Sequence, residues 1–245
     1  MNTRVATAFC FAFLLLTPVP AWTGASESLG KLKTFHAVDH GIVIEAENAT
    51  VALTLYAPDI VRVRVSRTAF GPDASHASIR KPEGTFSSVK EEPDRILLST
   101  PSLTVTVSKS PVLLRFTTAE GRVLNEDDAD LGITWQGTEV SCFKRLFPEE
   151  KFIGLGEKTG PLDRRGRRFV NWNADHYAYG VEDDPLYTSI PFFIGLHDKL
   201  VYGIFLDNTF RTTFDFGASS DNRFSSFAAA DGEIVIRVAG IPRYA

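Results

Sequence analysis

From Thr34 onward the chain alternates apolar and polar residues in short runs, with the period of two that marks a half-buried β-strand. In VRVRVS, residues 61–66, valines alternate with two arginines and a serine, and LTVTVS, residues 103–108, repeats the pattern. Each run predicts a strand with one buried face and one solvent-facing face. Later strands are predicted about ten residues apart, as in β-sandwiches, over residues 189–196, 200–206, 209–216, 225–230 and 233–239.

The connections between these runs favour the same architecture. The segment PVLLRFTTAEGRVL, residues 111–124, predicts a hairpin that turns at its Ala-Glu-Gly. Gly154 and Gly156 in FIGLGEKTG predict a bend within a strand, and residues 71–94, rich in Ser, Pro, Glu and Lys, predict a loop. No long amphipathic helix and no break in composition is found. The sequence therefore predicts an all-β fold, a large antiparallel β-sandwich, as one domain over residues 26–245.

Residues 1–25 have the organisation of a secretory signal peptide. One positive charge precedes an apolar run, two prolines break the run, and small residues follow. We expect cleavage after Ala25, or otherwise after Ala21, which gives a secreted or periplasmic protein with no membrane segment after cleavage. Because Cys10 lies in the signal, only Cys142 remains, and no intrachain disulfide is predicted.

Charge and metal-ligating residues exclude several functions. The 245 residues carry a formal net charge of -4, so electrostatics give no reason to expect nucleic acid as a partner. The five histidines are scattered and no cluster has metal-ligand spacing, so neither a metal site nor a cofactor is predicted. The four arginines in LDRRGRRF, residues 162–169, fit a basic patch for nucleic acid, but the acidic EDD, residues 182–184, follows closely. We favour ion pairs that brace a long loop.

The segment WNADHYAYGVEDDPLY, residues 172–187, combines aromatic rings with carboxylates and amides and is neither helical nor alternating. Such side chains suit a sugar, whose C–H faces stack on rings and whose hydroxyl groups need hydrogen-bond partners. A rim loop whose rings plug the end of the sandwich is an equally open interpretation. Glycoside hydrolysis needs two carboxylates, and Asp175 with Asp183 or Glu182 is a conceivable pair whose separation the sequence does not give.

Three segments carry a resemblance to a known family: FIGLGEKTGPLDRRG, NWNADHYAYGVEDDPLYTSIPFFIGL and VYGIFLDNTFRTTFDFG. In this order and spacing they resemble the N-terminal β-sandwich of glycoside hydrolase family 31, the α-glucosidase and α-xylosidase family. The earlier strands fit that domain more loosely, so the resemblance covers nearly all of the chain after residue 25. It implies a galactose-mutarotase-like supersandwich that packs against a catalytic (β/α)8 barrel, in cis or in trans.

The resemblance also implies a role for residues 172–187. In the family this loop reaches over the barrel mouth, and its aspartate, here Asp175, binds sugar hydroxyl groups. His176 and Tyr177 follow as further substrate-binding candidates, and the implied ligand is an α-linked oligosaccharide or glycoside. The family's two catalytic aspartates lie in the barrel and have no counterpart in this sequence, which stops at VAGIPRYA. No catalytic residue is therefore predicted, and the chain alone is expected to be inactive.

Two other functions stay open. One is a freestanding carbohydrate-binding module, which the aromatic loop supports. The implied fold also hosts aldose mutarotases, but mutarotation needs a positioned acid and base, and no His–Glu pair is evident in the sequence. A sandwich built to meet a barrel should moreover expose an apolar surface, so the chain alone is expected to self-associate.

Overall fold

The computed structural model describes residues 26–240, which form strands, turns and loops without a helix. No helix long and apolar enough to cross a membrane is therefore present in this part of the chain. The strands of these residues are β1 (Glu27–Ser28), β2 (Leu32–Val38), β3 (Gly41–Ala46), β4 (Thr50–Ala57), β5 (Ile60–Ser66), β6 (Ser88–Glu91), β7 (Arg95–Ser99), β8 (Leu103–Ser108), β9 (Leu114–Thr118), β10 (Val123–Glu126), β11 (Ile133–Gln136), β12 (Glu139–Arg145), β13 (Lys151–Gly156), β14 (Arg168–Asn171), β15 (Ser189–His197), β16 (Leu200–Leu206), β17 (Thr212–Asp215), β18 (Phe224–Ala229) and β19 (Ile234–Gly240).

The strands build three antiparallel sheets. The eight-stranded sheet has the order β13-β15-β16-β19-β5-β4-β3-β2, the six-stranded sheet β1-β11-β12-β18-β17-β14, and the five-stranded sheet β10-β9-β8-β7-β6. Neighbours in sequence are often neighbours in a sheet, because a short turn suffices to join antiparallel strands. The predicted hairpin, for example, is β9 paired with β10. The all-β, antiparallel sandwich prediction is confirmed.

The sheets share a continuous core of apolar side chains. Phe193 of β15 illustrates how the eight-stranded and six-stranded sheets meet, because its ring centroid lies 6.1 Å from that of Phe214 in β17 and 5.2 Å from that of Phe216. Such edge-to-face aromatic pairs add to the stabilisation from area burial. Cys142 of β12 is fully buried, and this burial raises the pKa of its thiol to about 12, as expected for an unreactive core residue.

The alternation in β5 does not separate a buried face from a solvent face, and that prediction is wrong. Arg62 and Arg64 are only 6% and 8% exposed. The loop after β5 folds over them: Arg62 Nη1 lies 2.6 Å from Asp73 Oδ1, and Arg64 Nη2 donates to the Gly71 carbonyl at 2.7 Å. Arg64 is also paired with Glu233. The second face is thus polar but covered, which is stable because each guanidinium has a carboxylate partner.

Two local predictions had different outcomes. Residues 71–94 are not entirely loop, because they contain β6, which pairs with β7; its four residues are all exposed and give no hydrophobic signal. The predicted bend at Gly154 and Gly156 is confirmed as a register shift between β13 and β15, with φ of 136° and 80° at the two glycines. A Cβ atom on Gly154 would lie 2.5 Å from the Phe192 carbonyl oxygen, so a larger residue does not fit.

The proposed signal peptide lies outside the described residues. The boundary between residues 25 and 26, and the extent of the sandwich domain to residue 245, therefore stay predictions.

Candidate functional site

The aromatic and acidic segment joins strands of different sheets. It leaves β14 of the six-stranded sheet after Asn171 and enters β15 of the eight-stranded sheet at Ser189; we call residues 172–188 the connecting loop. At its base, Ser189 N donates to Asn173 Oδ1 at 2.9 Å. Nearby, the backbone N–H of residue 174 donates to the carbonyl of buried Leu186 at 3.0 Å. These contacts hold the two ends of the loop together.

A buried ion pair fixes the loop to the sandwich. Lys158 Nζ donates to Asp184 Oδ1 and to the Val170 carbonyl oxygen, each at 2.6 Å, while Val170 N donates to Asp184 Oδ2. The Lys158 side chain is 1% exposed and that of Asp184 19%. One ammonium group thus joins the segment after β13, strand β14 and the connecting loop, a role the sequence analysis did not identify.

The arginine-rich segment braces the same end of the molecule, mainly through backbone carbonyl groups. Arg164 is buried and donates to the carbonyls of residues 158, 159 and 161, and Arg165 donates to those of residues 147 and 150. Of these arginines, Arg167 makes a carboxylate contact, at 3.5 Å to Glu182 in the connecting loop. The prediction of bracing ion pairs is correct for Arg167, whereas Arg164 and Arg165 satisfy carbonyl groups instead.

The predicted substrate-binding residues Asp175, His176 and Tyr177 are consecutive and exposed on the connecting loop. Tyr177 is 90% exposed, and His176 Nε2 lies 3.7 Å from Asp183 Oδ2. The Asp175 carboxylate lies beside the Tyr187 phenol, and partial burial together with this negative charge raises the pKa of the phenol. The loop therefore presents a carboxylate, an imidazole and phenol rings to solvent within a short stretch.

The aromatic rings of the connecting loop do not plug the sandwich. Trp172 is 50% exposed, Tyr179 42% and Tyr187 41%. The rings of Tyr179 and Tyr187 pack edge to face at 6.2 Å, and the Tyr179 hydroxyl donates to Glu157 Oε1 at 3.3 Å. These two contacts hold the rings of Tyr179 and Tyr187 at the surface, where a sugar face has room to stack.

The acids beside Asp175 have structural partners. Asp183 Oδ2 accepts a hydrogen bond from Gly180 N at 2.6 Å and faces His176, and Glu182, 88% exposed, faces Arg167. Both carboxylates therefore have contacts that stabilise the connecting loop. Among residues 26–240, no group of three or more His, Cys, Asp and Glu side chains is placed to hold a metal ion.

An acid and a histidine contact the same tyrosine inside the sandwich, where both are buried. Tyr202 donates to Glu150 Oε1 at 2.6 Å, and the ring of His197 stacks on Phe147 at 4.1 Å and lies 6.1 Å from that of Tyr202. Burial raises the pKa of the Glu150 carboxyl group, which is 0% exposed. The cluster is part of the core, so it gives no support to mutarotase chemistry.

A cleft of about 420 Å³ lies beside the base of the connecting loop. Its buried lining residues Asn171 and Thr212 are cross-strand partners in β14 and β17. Trp172 and Phe210, 50% and 49% exposed, line it as well, as does Ser189 at the start of β15. The sequence alone does not reveal this cleft, because its residues come from three separate strands, the connecting loop and the loop before β17.

Comparisons with known proteins agree with this architecture. An α-glucosidase 2 from Bacillus thermoamyloliquefaciens is 36% identical over 214 residues, covering 84% of this chain and 26% of that protein. The GH31 dextranase of Flavobacterium johnsoniae, solved in complex with isomaltotriose, has 34% identity and a TM-score of 0.81 over 88% of this chain and 27% of its own. An isomaltosyltransferase from Sporosarcina globispora is 26% identical over 195 residues, 74% of this chain and 16% of that protein.

The chain thus spans about a quarter of the first two relatives. Residues 50–215 match the family described as the glycosyl hydrolase 31 N-terminal galactose mutarotase-like domain. This match covers the β-sandwich from β4 to β17 and includes the whole connecting loop. The chain belongs to the N-terminal, galactose mutarotase-like domain family of the glycoside hydrolase family 31 enzymes.

Proposed function

We propose that this chain positions substrate in an α-glucosidase-like glycoside hydrolase, with the connecting loop as one side of the sugar site. In this role Asp175 accepts hydrogen bonds from sugar hydroxyl groups, and His176 and Tyr177 contact the same substrate. The observation that carries the proposal is an exposed Asp175 carboxylate on a loop that the buried Lys158–Asp184 pair fixes in place. A carboxylate held in advance loses little entropy when it binds sugar.

The proposed substrate is an α-linked oligosaccharide or glycoside, and the proposed partner is a catalytic (β/α)8 barrel in cis or in trans. In retaining hydrolysis one carboxylate attacks the anomeric carbon while a second carboxyl group protonates the leaving oxygen. Both groups belong to the barrel in this proposal. The chain described here contributes orientation, because a hydroxyl group held by Asp175 keeps the scissile bond aligned with the nucleophile.

Reading the gene through and beyond codon 245 is the first experiment, because it identifies a barrel encoded in cis. In the protein that carries the barrel, or in a mixture with a separate barrel chain, Asp175→Ala should lower kcat/KM for an α-glucoside by about 10- to 100-fold, the value of a charge-assisted hydrogen bond. The matched control is Glu182→Gln, an exposed acid on the same loop, which should leave kcat/KM unchanged. Equal activity of Asp175→Ala and the control would contradict the proposal.

A freestanding carbohydrate-binding module is the second candidate, favoured by the exposed rings of Trp172, Tyr177 and Tyr179. It requires the chain alone to bind a maltose-like sugar at millimolar concentration and to lose that binding in Asp175→Ala. Mutarotase activity is the third, and polarimetry on freshly dissolved glucose tests it; with Glu150 buried we expect no acceleration.

We also propose that residues 1–25 direct the chain to a secreted or periplasmic location. Amino-terminal sequencing of the exported protein should begin at Ser26, or at Trp22 if cleavage follows Ala21. A cytoplasmic protein that retains Met1 would contradict this proposal.

A further inference from the structure

The loop between β5 and β6, residues 67–87, is attached to the sandwich at two points. Near its start Asp73 is paired with the buried Arg62 at 2.6 Å. Near its end the carbonyl oxygen of Gly84 lies 2.8 Å from His40 Nδ1. The stretch between these two attachments projects from the sandwich, and we call it the tip of the β5–β6 loop.

The tip, residues 74–83, has few contacts that could protect its backbone. Its first half is a small turn, in which the N–H groups of residues 77 and 78 donate to Ser75 Oγ. In its second half, residues 79–83 make no backbone hydrogen bond to any residue that the structure describes. Ile79 is 98% exposed. Exposed loop tips of this kind are the preferred sites of proteolytic cleavage.

The residues of the tip select the class of protease. Arg80 is exposed, and its side chain contacts Glu83 of the same tip at 3.3 Å. Endopeptidases with a carboxylate in the specificity pocket, such as trypsin, cleave after Arg or Lys. The next residue, Lys81, precedes Pro82, whose ring lacks the N–H group of an ordinary peptide bond, so the bond after Lys81 is a poor substrate. The bond between Arg80 and Lys81 is therefore the susceptible one.

Other exposed basic residues outside the strands are held by hydrogen bonds. The side chain of Arg67 donates to the Gly137 carbonyl oxygen at 2.7 Å. Backbone carbonyl groups accept hydrogen bonds from N–H groups elsewhere in the domain at Lys31, Arg122, Arg211 and Arg223. Arg80 differs from these residues because its backbone lacks such a bond and its side-chain partner is itself exposed.

The two sides of this bond belong to one sheet system. Strand β5, which precedes the loop, pairs with β19 from Ile60 opposite Ala239 to Val65 opposite Ile234. Strand β1 pairs with β11 in the six-stranded sheet. The common apolar core includes side chains from both sides of the bond. A break after Arg80 therefore leaves the strands paired and the core closed.

We propose that the bond between Arg80 and Lys81 is a processing site for an endopeptidase of trypsin-like specificity, and that the cleaved domain stays assembled as two chains. In this hydrolysis the carbonyl carbon of Arg80 gains the oxygen of a water molecule and becomes a carboxylate. The nitrogen of Lys81 keeps the electron pair of the broken bond and takes both hydrogens of the water as protons, which makes it an ammonium group. The inference is independent of the sugar-binding role proposed for the connecting loop.

Limited digestion of the full chain with trypsin under native conditions tests the proposal. Mass spectrometry and amino-terminal sequencing should find one early cut, with a new chain that begins at Lys81. Size-exclusion chromatography should elute the two fragments together. Arg80→Gln should remove the early cut, and its melting temperature should match that of the wild type because the pair with Glu83 is exposed. Pro82→Ala should add a cut after Lys81.

Lys158→Met shows whether the cut needs only local opening of the tip. This variant loses a buried ammonium group, so its globally unfolded fraction should rise about 100-fold. Cleavage after Arg80 should nevertheless keep its rate within about twofold, because local opening of the tip does not depend on global stability. An early cut elsewhere, resistance of the native chain to trypsin, separation of the fragments, or a rate that follows the unfolded fraction would each overturn the proposal.

Discussion

Removing the buried ammonium group at the base of the connecting loop should destabilise the whole domain. The substitution is Lys158→Met, which keeps an unbranched chain of similar length and deletes the charge. In the wild-type chain Lys158 Nζ lies 2.6 Å from both Asp184 Oδ1 and the Val170 carbonyl oxygen, and its side chain is 1% exposed. After the change the Asp184 carboxylate keeps the Val170 N–H as partner and loses its counter-charge.

The structure sets the size of the effect. Breaking a buried ion pair by removing one partner costs about 3–5 kcal/mol, because the other charge stays buried and uncompensated. The Asp184 side chain is 19% exposed, so water relieves part of this cost and we take the lower end, about 3 kcal/mol. For a domain of this size that corresponds to a fall in melting temperature of about 6–12 °C.

Urea unfolding followed by circular dichroism measures the change as a lower midpoint at constant m. Asp184→Asn in the Lys158→Met background should recover part of the loss, with a coupling free energy of about 2 kcal/mol, because the double variant buries no charge at this position. Glu182→Gln is the control: its ion pair lies on the same loop but the acid is 88% exposed, so the change should be below about 1 kcal/mol. A Lys158→Met variant no less stable than this control would refute the reasoning.

Three further predictions concern other parts of the domain. Burial raises the pKa of the Glu150 carboxyl group, so the stability that this group contributes is fully present below its unfolded pKa and is lost as pH rises through its folded pKa. The melting temperature of the wild type should therefore fall relative to that of Glu150→Gln as the pH rises from acid, and a constant difference across pH would contradict this. With a pKa raised to about 12 and no exposure, the Cys142 thiol should react with iodoacetamide at pH 8 only after denaturation, and rapid labelling of the native chain would show that the site opens. The exposed rings of the connecting loop should promote self-association of the chain alone, and Tyr177→Ser should reduce it. Light scattering measures the molar mass in solution. A chain that stays monomeric at high concentration would contradict the expectation that these exposed rings promote association.

Most strands could be predicted because burial on one face requires an apolar side chain at every second residue, and this alternation is a local feature of the sequence. Strand β16 is predicted over residues 200–206 and found at Leu200–Leu206, and the pattern of buried residues in β8 follows its alternation. Strand β17 begins three residues later than predicted, at Thr212, because Asn208 holds the backbone of Phe210 in a turn. The family motifs added the supersandwich type, which periodicity alone does not distinguish from other sandwiches.

The polar interior could not be predicted in the same way. From the sequence, the arginines of β5 are predicted to face solvent, but in the structure the loop that carries Asp73 covers them. Arg64 also pairs with Glu233, a residue far away in the chain. Nothing in the sequence around Lys158 distinguishes it from a surface lysine, yet its side chain is buried against the connecting loop. Whether a charged residue is buried depends on which carboxylate the fold brings to it.

The sequence by itself determined most strands, the antiparallel class, the family and the position of the loop that carries Asp175, because each is encoded in residues close together in the chain. Only the tertiary structure decided which polar groups are paired: it buried Arg62 and Lys158 with partners and left the Asn171 amide without a partner among residues 26–240. The physical reason is that a hydrogen bond or ion pair forms over about 3 Å. Long-range packing of the sheets alone sets which side chains come that close.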